Sequence, residues 1–254
     1  MVLLEIMDLL QNTLYINLEH REDRKFHVVA QLKTIGSLAP ERFPAIQAKD
    51  GAIGCSLSHI KCLELAKARG WESVCIVEDD FKCVNPMRFR QSLADFQEHA
   101  DNDGLQWDVL LLGGNNCPPY FTPISSGGAD GTEEGKEIKY CVEITNCQSA
   151  IAYVVRQAFY DTMIQNYREG VAKLMRDPTN KREFAVDMYW KRLQSSGRWF
   201  LLVPLTITQL ACYSDIEKRE MNYDHLMLDI DKVWLFKNPN VALQNMTCIR
   251  KKMF

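Results

Sequence analysis

Residues 74–81 read VCIVEDDF, an apolar run that ends on three consecutive carboxylates, Glu78, Asp79 and Asp80. Like charges crowded at the end of a half-buried strand repel one another and are poorly hydrated. They are tolerated where a metal ion, an ammonium or a guanidinium sits among them. Oxygen ligands of this kind suit Mg²⁺ or Mn²⁺, ions commonly shared between one or two carboxylates and the phosphates of a substrate. A metal-bound nucleoside diphosphate is the simplest ligand with those properties. The alternative is a solvated strand end or the acidic start of a helix.

Other residues could join such a site. NLEHREDR places Arg21 and Arg24 directly after the first apolar stretch, where guanidinium forks reach phosphates or base edges. The competing reading is an exposed helix start laced with ion pairs. FAVDMYW sets Asp187 among apolar and aromatic residues, where partial burial would raise its pKa and suit a general base. Tyr189 and Trp190 beside it are either a platform for a sugar ring or ordinary core. His225, in NYDHLML, offers an imidazole to a divalent ion or is a surface histidine.

The elements that must position these groups follow from periodicity. TLYINL (13–18) reads as a buried strand, and apolar residues at 26, 29, 32 and 35 predict a helix over 22–35 with Gly36 as its stop. ERFPAI (41–46) predicts a short strand. Ser56 or Ser58 is the expected cap of a helix running to about Arg69, with Gly70 beyond it. SVCIV (73–77) is the strand that carries the acidic tripeptide. A helix is expected over 87–99 and a strand over 107–114, then strands near 138–143 and 149–155. Helices near 157–175 and 183–195 and a last strand at 199–205 complete the pattern. The segment 113–136, rich in Gly, Pro, Ser and Asn, reads as a long binding loop, a lid or disorder. Residues 206–254 read as an irregular tail. Strands alternating with helices predict one α/β domain over 1–254 with a mainly parallel sheet. Ligands of such sheets bind beyond the carboxyl ends of the strands, where the acidic tripeptide lies.

Composition narrows the function. The 254 residues are 46% hydrophobic and 25% charged with a net charge of −3, which argues against a dedicated nucleic-acid binder. The opening MVLLEIMDLL contains Glu5 and Asp8 and has no basic n-region, so a cytoplasmic location is expected, with no signal peptide and no membrane span. The nine cysteines form no CxxC pair and read as reduced core residues rather than zinc-ribbon ligands. His20, His27 and His99 lie on expected helix faces and read as exposed.

YINLEHREDR, GCSLSHIKCLELA, VCIVEDDF, DVLLLGG and TITQLACYSDIE occur in this order over about residues 12–217. The ordered set resembles family 25 glycosyltransferases, which include lipooligosaccharide (lipopolysaccharide-type) and collagen hydroxylysine galactosyltransferases, with relatives in large DNA viruses. The resemblance implies a Rossmann-like domain of GT-A type, a UDP-sugar donor and Mn²⁺ or Mg²⁺, with EDD in place of a DxD motif. It implies substrate contacts from Asn17, Leu18, Arg21, Arg24, Ser58, Asp79, Gly113 and Gly114. It implies metal ligation by Glu78, Asp80 and His225, and Asp187 as the base of an inverting transfer. His59 is a donor contact or a structural histidine, and Ser58 a contact or only a cap. The acceptor is a saccharide or a hydroxylysine-type hydroxyl, and the hexose is galactose or glucose.

Three rival readings remain. A response-regulator receiver needs a phosphoacceptor aspartate ending a later strand, and Asp108 begins its strand instead. A metal-dependent nucleotidyltransferase needs a glycine-rich basic triphosphate loop, which is not apparent, and it would release UMP or pyrophosphate rather than UDP. A non-catalytic relative that binds nucleotide-sugar would keep EDD without turnover.

Overall fold

The computed structural model describes residues 7–102, 104–117, 140–214 and 219–230. A short helix α1 (Met7–Gln11) leads into β1 (Thr13–Asn17), α2 (Glu22–Ile35), β2 (Glu41–Pro44), α3 (Gly51–Ala68) and β3 (Ser73–Glu78). Next come β4 (Phe81–Cys83), α4 (Pro86–Asn102), β5 (Val109–Leu111) and β6 (Asn115–Asn116). The chain continues with β7 (Cys141–Glu143), β8 (Cys147–Gln148), β9 (Ala152–Arg156) and α5 (Tyr160–Arg176). Three short helices follow, α6 (Lys181–Phe184), α7 (Val186–Tyr189) and α8 (Lys191–Gln194). The last described elements are β10 (Trp199–Leu202), β11 (Ile207–Gln209), β12 (Cys212–Ser214), β13 (Arg219–Met221) and α9 (Asp224–Met227).

Seven strands form the central sheet in the order β2-β1-β3-β9-β5-β10-β7. Strands β2, β1, β3, β5 and β10 run one way and β9 and β7 the other, a mostly parallel, Rossmann-like mixed α/β arrangement. Period-two alternation divides the core between the faces. Val74 and Ile76 of β3, with Tyr153 and Val155 of β9, pack with Ile60 and Leu63 of α3 and Met163 and Tyr167 of α5. Cys75, Val77, Ala152 and Val154 face the other way, toward Val28 and Leu32 of α2 and Phe89 and Phe96 of α4. Both faces are covered, which is why these strands read as continuous apolar runs.

Several expectations change. Helix α3 begins at Gly51, because Asp50 accepts the Ala52 N–H and caps it. Ser56 and Ser58 are buried inside the helix, donating to the Ala52 and Gly54 carbonyls. The helix expected over 183–195 is three short ones, since Ala185 is extended, with ψ of 155°. Strand β9 starts later than expected because Ser149 is left-handed, with φ of +76°. The supposed tail is ordered through β11, β12, β13 and α9, with β11 pairing antiparallel to β4 just after the acidic tripeptide. Most of the expected long loop lies outside the described residues. Gly36 ends α2 as expected, in the left-handed conformation a Cβ disfavours. The eight described cysteines are free, five of them buried, and Cys248 lies outside the described residues. Among the described residues no helix is long and apolar enough to cross a membrane.

Candidate functional site

The carboxyl end of β3 meets the carboxyl end of β1 and the amino end of antiparallel β9 at one edge of the sheet. Backbone bonds pin the acidic tripeptide there: the Glu78 N–H donates to the Ile151 carbonyl and the Leu210 N–H to the Asp80 carbonyl. Asp79 is buried and turned toward β1 and α2. It accepts from Asn17 Nδ2 at 2.8 Å and from an Arg24 guanidinium nitrogen at 3.0 Å. Arg24 also lies 3.7 Å from Asp80 and donates to Cys212 Sγ at 3.0 Å. Arg24 therefore orders the loop and fixes the tripeptide, while Arg21 pairs with exposed Asp23 at 2.9 Å. Leu18 is half-buried and its carbonyl accepts the Arg21 N–H.

The electrostatics are lopsided. Burial and the adjacent Glu78 charge push the Asp80 carboxyl up to about 7, against the pull of Arg24. Asp80 Oδ1 is buried without a hydrogen-bond partner. Burial also raises Asp79. Burial acts most strongly, to raise Glu78, but the hydrogen bond and charge of His59, the Cys55 hydrogen bond and the Arg24 charge together hold the carboxyl below its ordinary range. An orphaned, desolvated carboxylate oxygen is costly unless a cation or donor meets it, and a hard divalent ion is one group that would do so.

Asp187 joins the same edge from α7. Its Oδ2 accepts the Ser149 N–H at 3.0 Å, and burial followed by the Glu78 charge raises its pKa. The left-handed Ser149 aims that N–H, and such strain, of order 1–3 kcal/mol, is commonly held at working sites. Tyr189 and Trp190 do not form a platform. Trp190 is fully buried, edge-on to Tyr153 and Trp199, and donates to the Cys147 carbonyl. Tyr189 packs against Gly170.

Gly113 and Gly114 have packing reasons for lacking a side chain. A Cβ at 113 would lie 2.5 Å from Ile207 Cβ, and one at 114 would lie 2.7 Å from Cys147 Sγ. Gly113→Ala is expected to destabilise the fold by about 1–3 kcal/mol, read as a lower denaturation midpoint with an unchanged slope. Ser58 is fully buried and accepts the Ile46 N–H, tying α3 to the loop after β2. His225 is exposed on α9, whose buried Met227 sulfur lies 3.9 Å from Ser149 Oγ. Glu78, Asp80 and His225 do not gather to mutual ligand spacing. Among the described residues only Cys55, His59 and Glu78 do, within 4.8 Å of one another.

Three contributors escaped the sequence. Arg42 on β2 donates to both the side-chain and backbone oxygens of Asn17. His27 is half-buried rather than exposed, its Nε2 lying 2.9 Å from the Phe81 carbonyl. Cys55 lies 3.5 Å from Glu78, and its four-residue spacing from His59 on one helix was the available signal.

No protein-family profile matches the chain. A 69-residue stretch is 35% identical to inactive glycosyltransferase 25 family member 3 of Homo sapiens. That stretch is 27% of this chain and only 11% of the relative's own length. Among solved structures, A197 from STIV is similar at a TM-score of 0.38 and 12% identity, over 83% of this chain and 94% of that one. A mannose-1-phosphate geranyltransferase from Thermus thermophilus gives 0.35 and 13%, over 79% of this chain and 63% of its own. At these TM-scores neither likeness bears on function.

Proposed function

We propose that this chain is a GT-A type glycosyltransferase that takes a hexose, galactose or glucose, from a UDP-sugar and passes it to a hydroxyl acceptor. The observation that carries the reading is the acidic tripeptide at the carboxyl end of β3, half-buried at Glu78 and Asp80 and buried at Asp79, with Asp80 Oδ1 unpartnered. The partial likeness to a family 25 member supports it. Glu78 and Asp80 would hold Mn²⁺ or Mg²⁺, and the ion would neutralise charge on the departing diphosphate. Asn17, Arg24 and Asp79 keep the two ligating carboxylates in place, and Leu18 and Arg21 border the nucleotide. Asp187 accepts the proton of the acceptor hydroxyl as the new glycosidic bond forms, which a raised pKa favours.

The test is a screen of UDP-galactose and UDP-glucose with and without Mn²⁺, read as thermal stabilisation and UDP release. Stabilisation with UDP release supports the transferase. Stabilisation without turnover leaves a nucleotide-sugar binder, and release of UMP or pyrophosphate turns the reading to a nucleotidyltransferase. A melting temperature indifferent to millimolar UDP plus Mn²⁺ removes the nucleotide site altogether. His225 is proposed as a further metal ligand, since α9 packs at this edge through Met227 and Ser149. His225→Ala is expected to weaken Mn²⁺ binding more than UDP binding measured without metal, both by calorimetry. Equal Mn²⁺ affinity in the two proteins makes it a surface residue.

A further inference from the structure

We propose that Cys55, His59 and Glu78 form a three-ligand site for Zn²⁺ or another thiolate-preferring divalent ion, with the fourth position open. The proposal does not depend on the nucleotide-sugar reading and shares only Glu78 with it. Cys55 and His59 stand four residues apart on α3 and so share a helix face, and β3 ends with Glu78 opposite them.

The spacing fits. Zinc bonds of about 2.3 Å to sulfur and about 2.0 Å to nitrogen or oxygen, at tetrahedral angles, set S···O at about 3.5 Å and N···O at about 3.3 Å. Cys55 Sγ lies 3.5 Å from Glu78 Oε1, and His59 Nε2 lies 3.2 Å from the same oxygen. The three ligand atoms all fall within 4.8 Å of one another.

The surroundings favour a metal as well. His59 is fully buried, and its Nδ1 lies 2.8 Å from Tyr153 Oη, which in turn accepts from Tyr167 Oη at 3.4 Å. A ring held through Nδ1 presents Nε2 in a fixed direction, the arrangement by which an outer partner orients a ligating histidine. Cys55 sits in the negative field of Glu78, Asp187 and Asp80. A cation placed among these groups offsets their mutual repulsion. The Glu78 side chain keeps 22% of its surface exposed, so water has access to the open position. Three protein ligands and an open position are the pattern of reactive rather than purely structural zinc sites.

Titrating the full chain with Co²⁺ alone tests the site. Stoichiometric uptake is expected, with a thiolate-to-cobalt charge-transfer band in the near ultraviolet and strong visible bands of tetrahedral geometry, both displaced by Zn²⁺. Cys55→Ser should abolish the charge-transfer band while circular dichroism stays unchanged. Tyr153→Phe should keep the band but weaken Zn²⁺ affinity about 10–100-fold. Asp80→Asn should keep the band whether or not UDP binds, so this proposal and the nucleotide reading fail separately. A folded parent chain without the band at saturating Co²⁺ overturns the site, leaving a hydrogen-bonded trio. So does a band that survives Cys55→Ser, which would belong to another cysteine.

Discussion

Asp80→Asn is expected to lose the thermal stabilisation that UDP with Mn²⁺ confers on the parent chain, while the unliganded fold becomes more stable. At a hundredfold excess over Kd the lost stabilisation is about 2.7 kcal/mol, a shift of about 5–11 °C for a chain of this size. The gain has the opposite origin. The folded Asp80 carboxyl, pushed up to about 7 by burial and Glu78, lies above its unfolded value. Folding therefore favours the protonated form, and stability declines as pH rises through about 7. Asparagine resembles that neutral form. Its advantage is fullest above about pH 7 and disappears below the ordinary aspartate range. A variant with a lower unliganded Tm at pH 8 would show Asp80 to be structural. One that still responds to UDP plus Mn²⁺ would remove Asp80 from the metal site.

Asp187→Asn is expected to lower kcat by about a hundredfold to ten-thousandfold and leave donor affinity nearly unchanged. A base acts in the transition state, so its loss does not weaken ground-state donor binding. Asparagine keeps an oxygen for the Ser149 N–H, so the strained turn stays in place. Because burial and Glu78 raise the Asp187 pKa, the acid limb of the parent's kcat profile should lie above the ordinary carboxylate range and vanish in the variant. A wild-type rate in Asp187→Asn places the base elsewhere. Loss of UDP binding would instead assign Asp187 to the donor side or to the fold.

What could be read from the chain divides along physical lines. VCIVEDDF was legible because an apolar run that stops on charges reports both the strand and its end. The tether of Asp79 to Asn17 and Arg24 was foreseen only as two arginines near a strand, since contacts across sixty or so residues leave no local pattern. Cys55 was passed over because a ligand and a reduced core cysteine look alike in sequence, and only its four-residue spacing from His59 sets it apart. Tyr189 and Trp190 misled for the reverse reason. Aromatic rings beside a carboxylate suit sugar stacking, but Gly170 and Trp199 give them a tighter place inside. Strand direction was not legible for β9, because period-two alternation is the same in both senses. Ser149 gave no signal either, as its left-handed backbone is imposed by the Asp187 contact and the turn into β9 rather than by its own preference.

The position of β9 governs the order in which the protein can assemble. It lies between β3 and β5, both of which precede it in the chain, and bonds to each. Until it is made, β1, β2 and β3 can pair among themselves, but β5 has no neighbour through which to join them. Closing that gap is a long-range event, and such contacts slow folding because chain entropy is lost before they form. The acidic tripeptide is synthesised early, Ser149 comes just before the strand that bridges β3 to β5, and Asp187 comes after it. A nascent chain that ends before Ile151 therefore carries β3 as an open sheet edge, with the backbone N–H of Glu78 still lacking the carbonyl it will bond.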